Sequence, residues 1–359
     1  MDQIKKSTVL MISPCGGGGI RSVVEAMMAS DLSREVTFEW VCSHIDASLS
    51  KRIGKAFLAY LHVLYIATRY SSLIFHIHVS AHGSFFRKSL FIWIARAFGH
   101  PTILHMHSSS FEAFIDGSPS WVRSYVSAVM NQSTSIIALS KGWKDYYGMM
   151  TSTPITVIPN FIKDSGTSPN FDNDGQQMLF LGRYGVRKGI YDVINALPPL
   201  IRTHPRFHLT CAGDGDLETI RQLILERDLQ SHVTFYGWVD GPDKEALLRG
   251  ASILLLPSHA EGLPMAILEA MEAGLCIVTT PVGGIPEMIE DGVNGRIVPV
   301  GQPKILSAVL INLLGDVKQQ RRLGKRAREN FVEHFSEKVV IPRFSALYRT
   351  LKLGYSSAQ

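Results

Sequence analysis

Residues 251–300 read ASILLLPSHAEGLPMAILEAMEAGLCIVTTPVGGIPEMIEDGVNGRIVPV, and this stretch decides the fold. Residues 252–256 form a short continuous apolar run closed by Pro257, the pattern of a parallel strand buried on both faces. Polar and Gly/Pro residues follow from His259 to Pro264, and then an apolar stretch of helical length over residues 265–273. Residues 275–280 make a second buried strand, closed by the turn Pro281-Val282-Gly283-Gly284. Strand, loop, helix and strand compose one βαβ unit. Its loops fall beyond the carboxyl ends of the strands, where open α/β sheets bind ligands.

Two carboxylates frame that loop. Glu261 lies on it, and Glu269 follows eight residues later, one turn inside the helix. Between them the amides near Leu263, Met265 and Ala266 fall at the helix N-terminus, where unpaired N–H groups and the dipole favour an anion. A phosphate held between two hydroxyl-binding carboxylates describes a sugar nucleotide. Any two glutamates taken alone are more often a solvated helix residue and a loop charge.

The wording of the whole stretch changes that balance. E-G-L-P-x-x-x-x-E, then A-x-x-A-G, T-P-V-G-G-I-P-E and D-G-x-N-G closely resemble the donor-binding half of the retaining glycosyltransferases of family 4. The resemblance implies the α/β GT-B fold: two Rossmann-like domains facing across a cleft, with a C-terminal helix crossing back to the first domain. The expected division is an acceptor-binding domain over residues 1–170, a nucleotide-sugar donor-binding domain over 171–340, and the returning helix over 341–359. The match is strongest from residue 178 to 300.

Size and composition agree. A chain of 359 residues with 46% hydrophobic content suits two cores. No run approaches the roughly 18 apolar residues of a membrane span. The start, MDQIKKSTVLMIS, reads as a strand opening rather than a signal peptide. Cys15, Cys42, Cys211 and Cys276 form no CxxC pair, so free thiols in a reducing cytoplasm are expected. Residues 1–170 hold 15 Lys+Arg against 10 Asp+Glu, while 171–359 hold 21 of each. A basic first half suggests an anionic partner such as a lipid surface or phosphorylated acceptor. No basic block interleaved with aromatics appears, which disfavours nucleic acid.

The first strand, residues 7–13, leads into Pro14-Cys15-Gly16-Gly17-Gly18-Gly19 and a helix. Such a loop lets backbone approach a ligand; by resemblance Gly18 and Gly19 face the donor phosphates. Strands follow at 36–42, 73–79 and 102–107, with a helical segment over 51–70. Phe85, Phe86, Arg87, Lys88, Phe91 and Trp93 mix bulky apolar groups with two cations, either a helix packed on the sheet or a patch docking on membrane. Alternation puts His105 and His107 on one face of their strand. The resemblance assigns His107 to the anomeric side of the donor sugar and leaves His105, His76, His78 and His82 as core residues or supports behind the site.

Residues 163–177 read as a linker. Two Asp-x-Asp spellings, Asp172-Asn173-Asp174 in the linker and Asp214-Gly215-Asp216 in a turn, lie away from any expected metal position, so no metal is expected. After the strand at 178–181 come Arg183 and Lys188 in a Gly-Arg…Lys-Gly frame. These resemble the family's pair that grips the diphosphate, an Arg fork and a Lys point charge replacing a metal. The turn Gly237-Trp238-Val239 is where relatives hold the base by backbone.

The resemblance therefore implies a metal-independent retaining hexosyltransferase without cofactor. It would use a UDP- or GDP-sugar and a glycan or lipid-linked acceptor, in cell-surface or exopolysaccharide synthesis, and would be cytoplasmic or peripheral on the inner membrane face. His107, Glu261, Arg183 and Lys188 would be catalytic. Gly18, Gly19, Arg183, Lys188, Val239, Gly262, Leu263, Pro264, Met265 and Glu269 would bind donor. A sugar-nucleotide epimerase of the same architecture and a non-catalytic sugar-nucleotide-binding subunit are the alternatives. An NAD-dependent oxidoreductase would need an acidic residue ending the second strand, which instead ends Val41-Cys42-Ser43-His44.

Overall fold

The computed structural model describes residues 6–45, 47–70, 73–166 and 174–356. They form two compact units, residues 1–163 with 337–359, and residues 164–336. Asp172 and Asn173 of the first Asp-x-Asp spelling lie outside the described residues. No helix among the described residues is long and apolar enough to cross a membrane.

In the first unit six parallel strands are ordered β2-β1-β3-β4-β5-β6, with β1 Ser7–Pro14, β2 Val36–His44, β3 Leu73–Val79, β4 Thr102–Met106, β5 Ser135–Ala138 and β6 Ile155–Val157. The second unit orders six more as β12-β11-β10-β7-β8-β9: β7 Gln177–Leu181, β8 His208–Ala212, β9 Val233–Tyr236, β10 Ile253–Leu256, β11 Cys276–Thr279 and β12 Arg296–Ile297. β3, β4, β10 and β11 are buried at every position. That explains why they read as continuous apolar runs: a parallel sheet covered by helices has no wet face to alternate with. In each unit the chain leaves its first strand toward one edge and later returns to the other side of it. The reversals lie between β1 and β3 and between β7 and β10, the places where such sheets open a ligand crevice.

The terminal helix runs Glu337–Ser356 and belongs to the first unit. It starts earlier than the sequence suggests, because Pro342 lies inside it rather than at its first turn. Proline there removes one intrahelical donor, and packing carries the helix through. Phe344 is fully buried against His76, His105 and Phe161. Ser345 and Arg349 both donate to Glu35, at 2.5 and 2.7 Å.

Two expectations change, and one pair of alternatives is decided. Cys15 and Cys42 are disulfide-bonded, with Cα atoms 5.5 Å apart, while Cys211 and Cys276 are free and buried. The pairing follows from register: β1 and β2 run parallel with Ser13 beside Cys42, so Cys15 leaves β1 next to it. Of the two readings of the Phe85–Trp93 segment, the helix packed on the sheet is the one observed: Phe85, Lys88 and Phe91 are buried, and Trp93 is exposed. His82 is exposed, in left-handed backbone (φ 54°) at the start of the helix Gly83–Ala97.

Truncating the Phe344 side chain should cost the first unit about 3–5 kcal/mol, the range for a large buried aromatic. Urea denaturation of Phe344→Ala measures it; a loss under about 0.5 kcal/mol, the size of an ordinary surface change, would mean the terminal helix is not docked.

Candidate functional site

The second unit's crevice is built by the loops after β7 and β10. Pro257 follows β10, and two threonines at the end of β11 and just past it secure the exit, Thr279 donating to the Leu256 carbonyl at 2.8 Å and Thr280 to that of Ser258 at 2.5 Å. Glu261, Gly262, Leu263 and Pro264 are all buried. A buried loop is unusual, since loops normally keep their backbone polar groups in water; here Gly284 N–H donates to the Gly262 carbonyl at 2.8 Å. Glycine is required at two contacts. Gly283 has φ +57°, and a Cβ there would collide with the Glu261 carbonyl. Gly189 has φ +75° and lies equally close to the Pro257 carbonyl, which brings the β7 loop against the β10 exit.

That approach joins the two loops by an ion pair. Glu261 is 4% exposed and accepts from Lys188 Nζ at 2.6 Å and from Ser258 Oγ at 2.7 Å, with Arg187 Nη1 at 3.8 Å. One turn into the helix Met265–Ala273, Glu269 accepts from Lys244 at 2.7 Å. Burial pushes its carboxyl up, and Lys244 pulls in the opposite direction. Gly262, Leu263, Pro264 and Met265 lead into the first turn of this helix, where Ile267 and Leu268 N–H already donate to the Pro264 carbonyl at 3.2 and 3.4 Å and Met265 and Ala266 are the first helical N–H groups. Arg183 is exposed after β7, and Val239 is half-buried after β9. Tyr184 binds the β7, β8 and β9 ends together, its hydroxyl reaching the Cys211 and Tyr236 carbonyls at 2.9 and 2.7 Å.

Lys188, Glu261 and the helix start are thus brought together with Glu269 one turn on. Ser258, Arg187 and Lys244 were not singled out in the sequence. Arg187 adjoins Lys188 and Ser258 adjoins the loop, so both stood beside a motif; Lys244, on another helix, carried no local signal. Asp216 of the second Asp-x-Asp spelling caps the helix Leu217–Glu226 by accepting from Thr219 N–H at 3.2 Å.

In the first unit Gly18 and Gly19 lie at the N-terminus of the helix Gly19–Ala29. His107 follows β4 in a histidine cluster that register creates, because His78 on β3 lies beside His105 on β4. His78 Nδ1 is 2.9 Å from His107 Nε2, His76 Nε2 is 3.0 Å from His105 Nδ1, and His76 Nδ1 is 2.7 Å from the Tyr348 hydroxyl. His76, His78 and His105 offer nitrogens within 4.8 Å of one another, a spacing a metal could use. However, both His76 nitrogens are occupied, and Lys88, which donates to the His78 carbonyl, adds a cation beside His78. Burial lowers His76 to about 3 and pushes His78 and His105 well below their ordinary value.

Residues 162–330 match the family model "Glycosyl transferases group 1". Over 185 residues the chain is 33% identical to the glycogen synthase of Mycobacterium tuberculosis strain H37Rv, covering 51% of this chain and 44% of that one. It is 30% identical over 201 residues to the phosphatidyl-myo-inositol mannosyltransferase of Mycolicibacterium smegmatis, covering 54% and 51%. The chain spans about half the length of the curated relatives it matches. Among solved structures, the sucrose-phosphate synthase of Thermosynechococcus elongatus superposes with a TM-score of 0.79 at 18% identity, covering 97% of this chain and all (100%) of that one. Anabaena HepE in complex with UDP and glucose gives 0.77 at 17%, covering 96% and 100%. These structural likenesses show the fold, which is GT-B.

Two outcomes check the geometry. The buried histidines stay neutral in the folded unit, while in the unfolded chain they protonate near pH 6.5. The unfolded state therefore binds more protons as pH falls, and stability should drop from about pH 6.5 downward until the low folded values are reached. Urea midpoints at stepped pH test this; a flat profile would refute the buried neutral cluster. Gly283→Ala should lower thermal stability by more than about 1 kcal/mol, since left-handed backbone alone costs a side chain roughly 1–2. An unchanged melting temperature would show that the loops do not approach as described.

Proposed function

We propose, from the premise that the chain belongs to the glycosyl transferases group 1 family, that it is a metal-independent retaining hexosyltransferase. Its donor would be a UDP- or GDP-sugar and its acceptor a glycan or lipid-linked sugar used in cell-surface or exopolysaccharide synthesis, made at the inner face of the membrane. The observation that carries the reading is the buried Glu261 tied to Lys188 beside a helix start, with Glu269 one turn on. A mannosyltransferase among the relatives and UDP with glucose in the HepE structure support the donor class.

In this reading Glu269 takes the ribose hydroxyls and the backbone after Gly237, including Val239, takes the base. Arg183, Lys188 and the N–H groups of Met265 and Ala266 at the helix start take the diphosphate, with Gly18 and Gly19 facing the phosphates. Preorganised charge of this kind is usually the largest catalytic contribution. Glu261 orients the sugar hydroxyls, and His107 meets the anomeric side. The C1–phosphate oxygen bond breaks as the acceptor oxygen bonds to C1 on the same face, and the acceptor proton passes to the leaving phosphate. Lys188 is paired with Glu261 before a donor arrives. Donor binding then exchanges one anion for another instead of leaving a cation unpaired.

The two glutamates separate on mutation. Ribose does not change during reaction, so Glu269→Gln should mainly raise KM and weaken nucleotide affinity. Glu261 serves the sugar, where positive charge develops, so Glu261→Gln should lower kcat by about ten- to two-hundred-fold, the value of one hydrogen bond to a charged group. Calorimetry with free nucleoside diphosphate decides. The Glu261 variant, whose Lys188 is released, should bind it at least as well as the parent, and the Glu269 variant poorly; the reverse would exchange the assignments.

A further inference from the structure

The helix Leu49–Arg69 has two apolar faces, and only one is used. Ala59, Val63, Ile66 and Ala67 are buried against the first unit's core, and Tyr60 packs at a tilt on Phe91 with ring centroids 4.6 Å apart. Ile53, Phe57, Leu58, Leu61, Leu64 and Tyr65 are 37–62% exposed. At 3.6 residues per turn these six fall within an arc of roughly 140°, separate from the buried arc. A second apolar stripe of this size on one helix marks a contact surface rather than scattered exposed residues.

Charge identifies what fits it. Lys51, Arg52, Lys55 and Arg69 are on the same helix; Lys51 and Arg69 border the apolar arc, and half-buried Lys55 lies between it and the buried arc. No Asp or Glu occurs anywhere between Asp46 and Glu112, while that stretch carries Arg87, Lys88 and Arg96 in addition. Lys88 is buried and adds nothing to the surface, so the helix's own four cations carry the charge of this face. Two copies of so basic a helix would repel each other, whereas an apolar stripe with flanking cations and no carboxylate on its own helix is how a helix lies in the interface of an anionic bilayer; Glu39, which accepts from Tyr70 just past the helix end, is a neighbouring carboxylate. We propose that the outer face of the helix Leu49–Arg69 docks the protein on an anionic phospholipid surface. The apolar side chains enter the acyl boundary, and the flanking lysines and arginines meet headgroup phosphates. This deepens the membrane part of the proposed function and rests on none of its chemistry. Exposed Leu90 and Trp93, on the adjacent helix Gly83–Ala97, add apolar surface on the next element.

The test is flotation of the full chain with phosphatidylcholine vesicles, with and without about one third phosphatidylglycerol, at near-physiological salt. Neither donor nor acceptor is present, so failure here leaves the transferase reading standing, and loss of activity says nothing about docking. Binding should be at least about tenfold stronger to the anionic vesicles, and should fall by a similar factor in Phe57→Ser with Leu61→Ser and in Lys51→Glu with Lys55→Glu. Phe57, Leu61 and Lys51 are exposed and Lys55 is half-buried, so each variant's melting temperature is measured beside the parent's; Leu225→Ser, on an exposed site of the second unit, is the control. As an independent readout, Phe57→Trp should give a blue-shifted emission with anionic vesicles alone. Equal binding to both vesicle types, or binding indifferent to these substitutions, overturns the proposal. So does a concentration-dependent dimer in sedimentation that Phe57→Ser with Leu61→Ser abolishes, which would assign the face to a second copy.

Discussion

A carboxylate taken out of water costs several kcal/mol unless it is paired and hydrogen-bonded, and Glu261, at 4% exposure, is fixed by that requirement. Lys188 comes from the loop after β7 and Ser258 from the loop after β10, so the pair can form only if the two loops meet. They meet because Gly189 lets one backbone rest on the Pro257 carbonyl and Gly283 lets the next turn rest on the Glu261 carbonyl. Strand order, glycine positions and the ion pair are therefore one constraint seen at three scales. The crevice between β7 and β10 supplies the place, the glycines the approach, and the charges the reason to keep it closed.

The sheets were legible for a physical reason. Parallel strands covered on both sides must be apolar throughout, and runs such as 73–79 and 252–256 say so without any neighbour being known. β12 escaped because two residues, Arg296 and Ile297, make no pattern. Glu261, Glu269, Arg183 and Lys188 were singled out by the motif they share with the family, and of these the structure joins Lys188 to Glu261 directly. Their partners were not: Lys244 reaches Glu269 from a different helix, and only packing brings it there.

Faces were harder to read than elements. Periodicity tells that a helix has an apolar side, but when apolar residues surround it, as in 49–69 and 83–97, sequence does not say which side the sheet takes. The aromatic segment around Phe91 went inward, and the outward apolar face fell to the helix before it. Cys15 with Cys42 has the same cause. Their separation of 27 residues is uninformative until the β1–β2 register is known. His78 beside His105 likewise depends on which residue of β3 faces which of β4.

The first unit accepts a cost at that register. Its sheet could bury valine or isoleucine at these positions, yet it buries His76, His78 and His105 and closes them with Phe344 and Tyr348 from the returning helix. His78 Nε2 and His105 Nε2 have no hydrogen-bond partner there, and an unsatisfied buried polar atom costs about 1–3 kcal/mol. The same cluster holds His107, the member nearest the strand exit, through its bond to His78. A ring anchored on one nitrogen and flanked by His105 at a 4.0 Å centroid distance has little freedom to turn. The stability given up in the core is thus local to the residues that orient the single histidine beyond the end of β4, where a parallel sheet presents its chemistry.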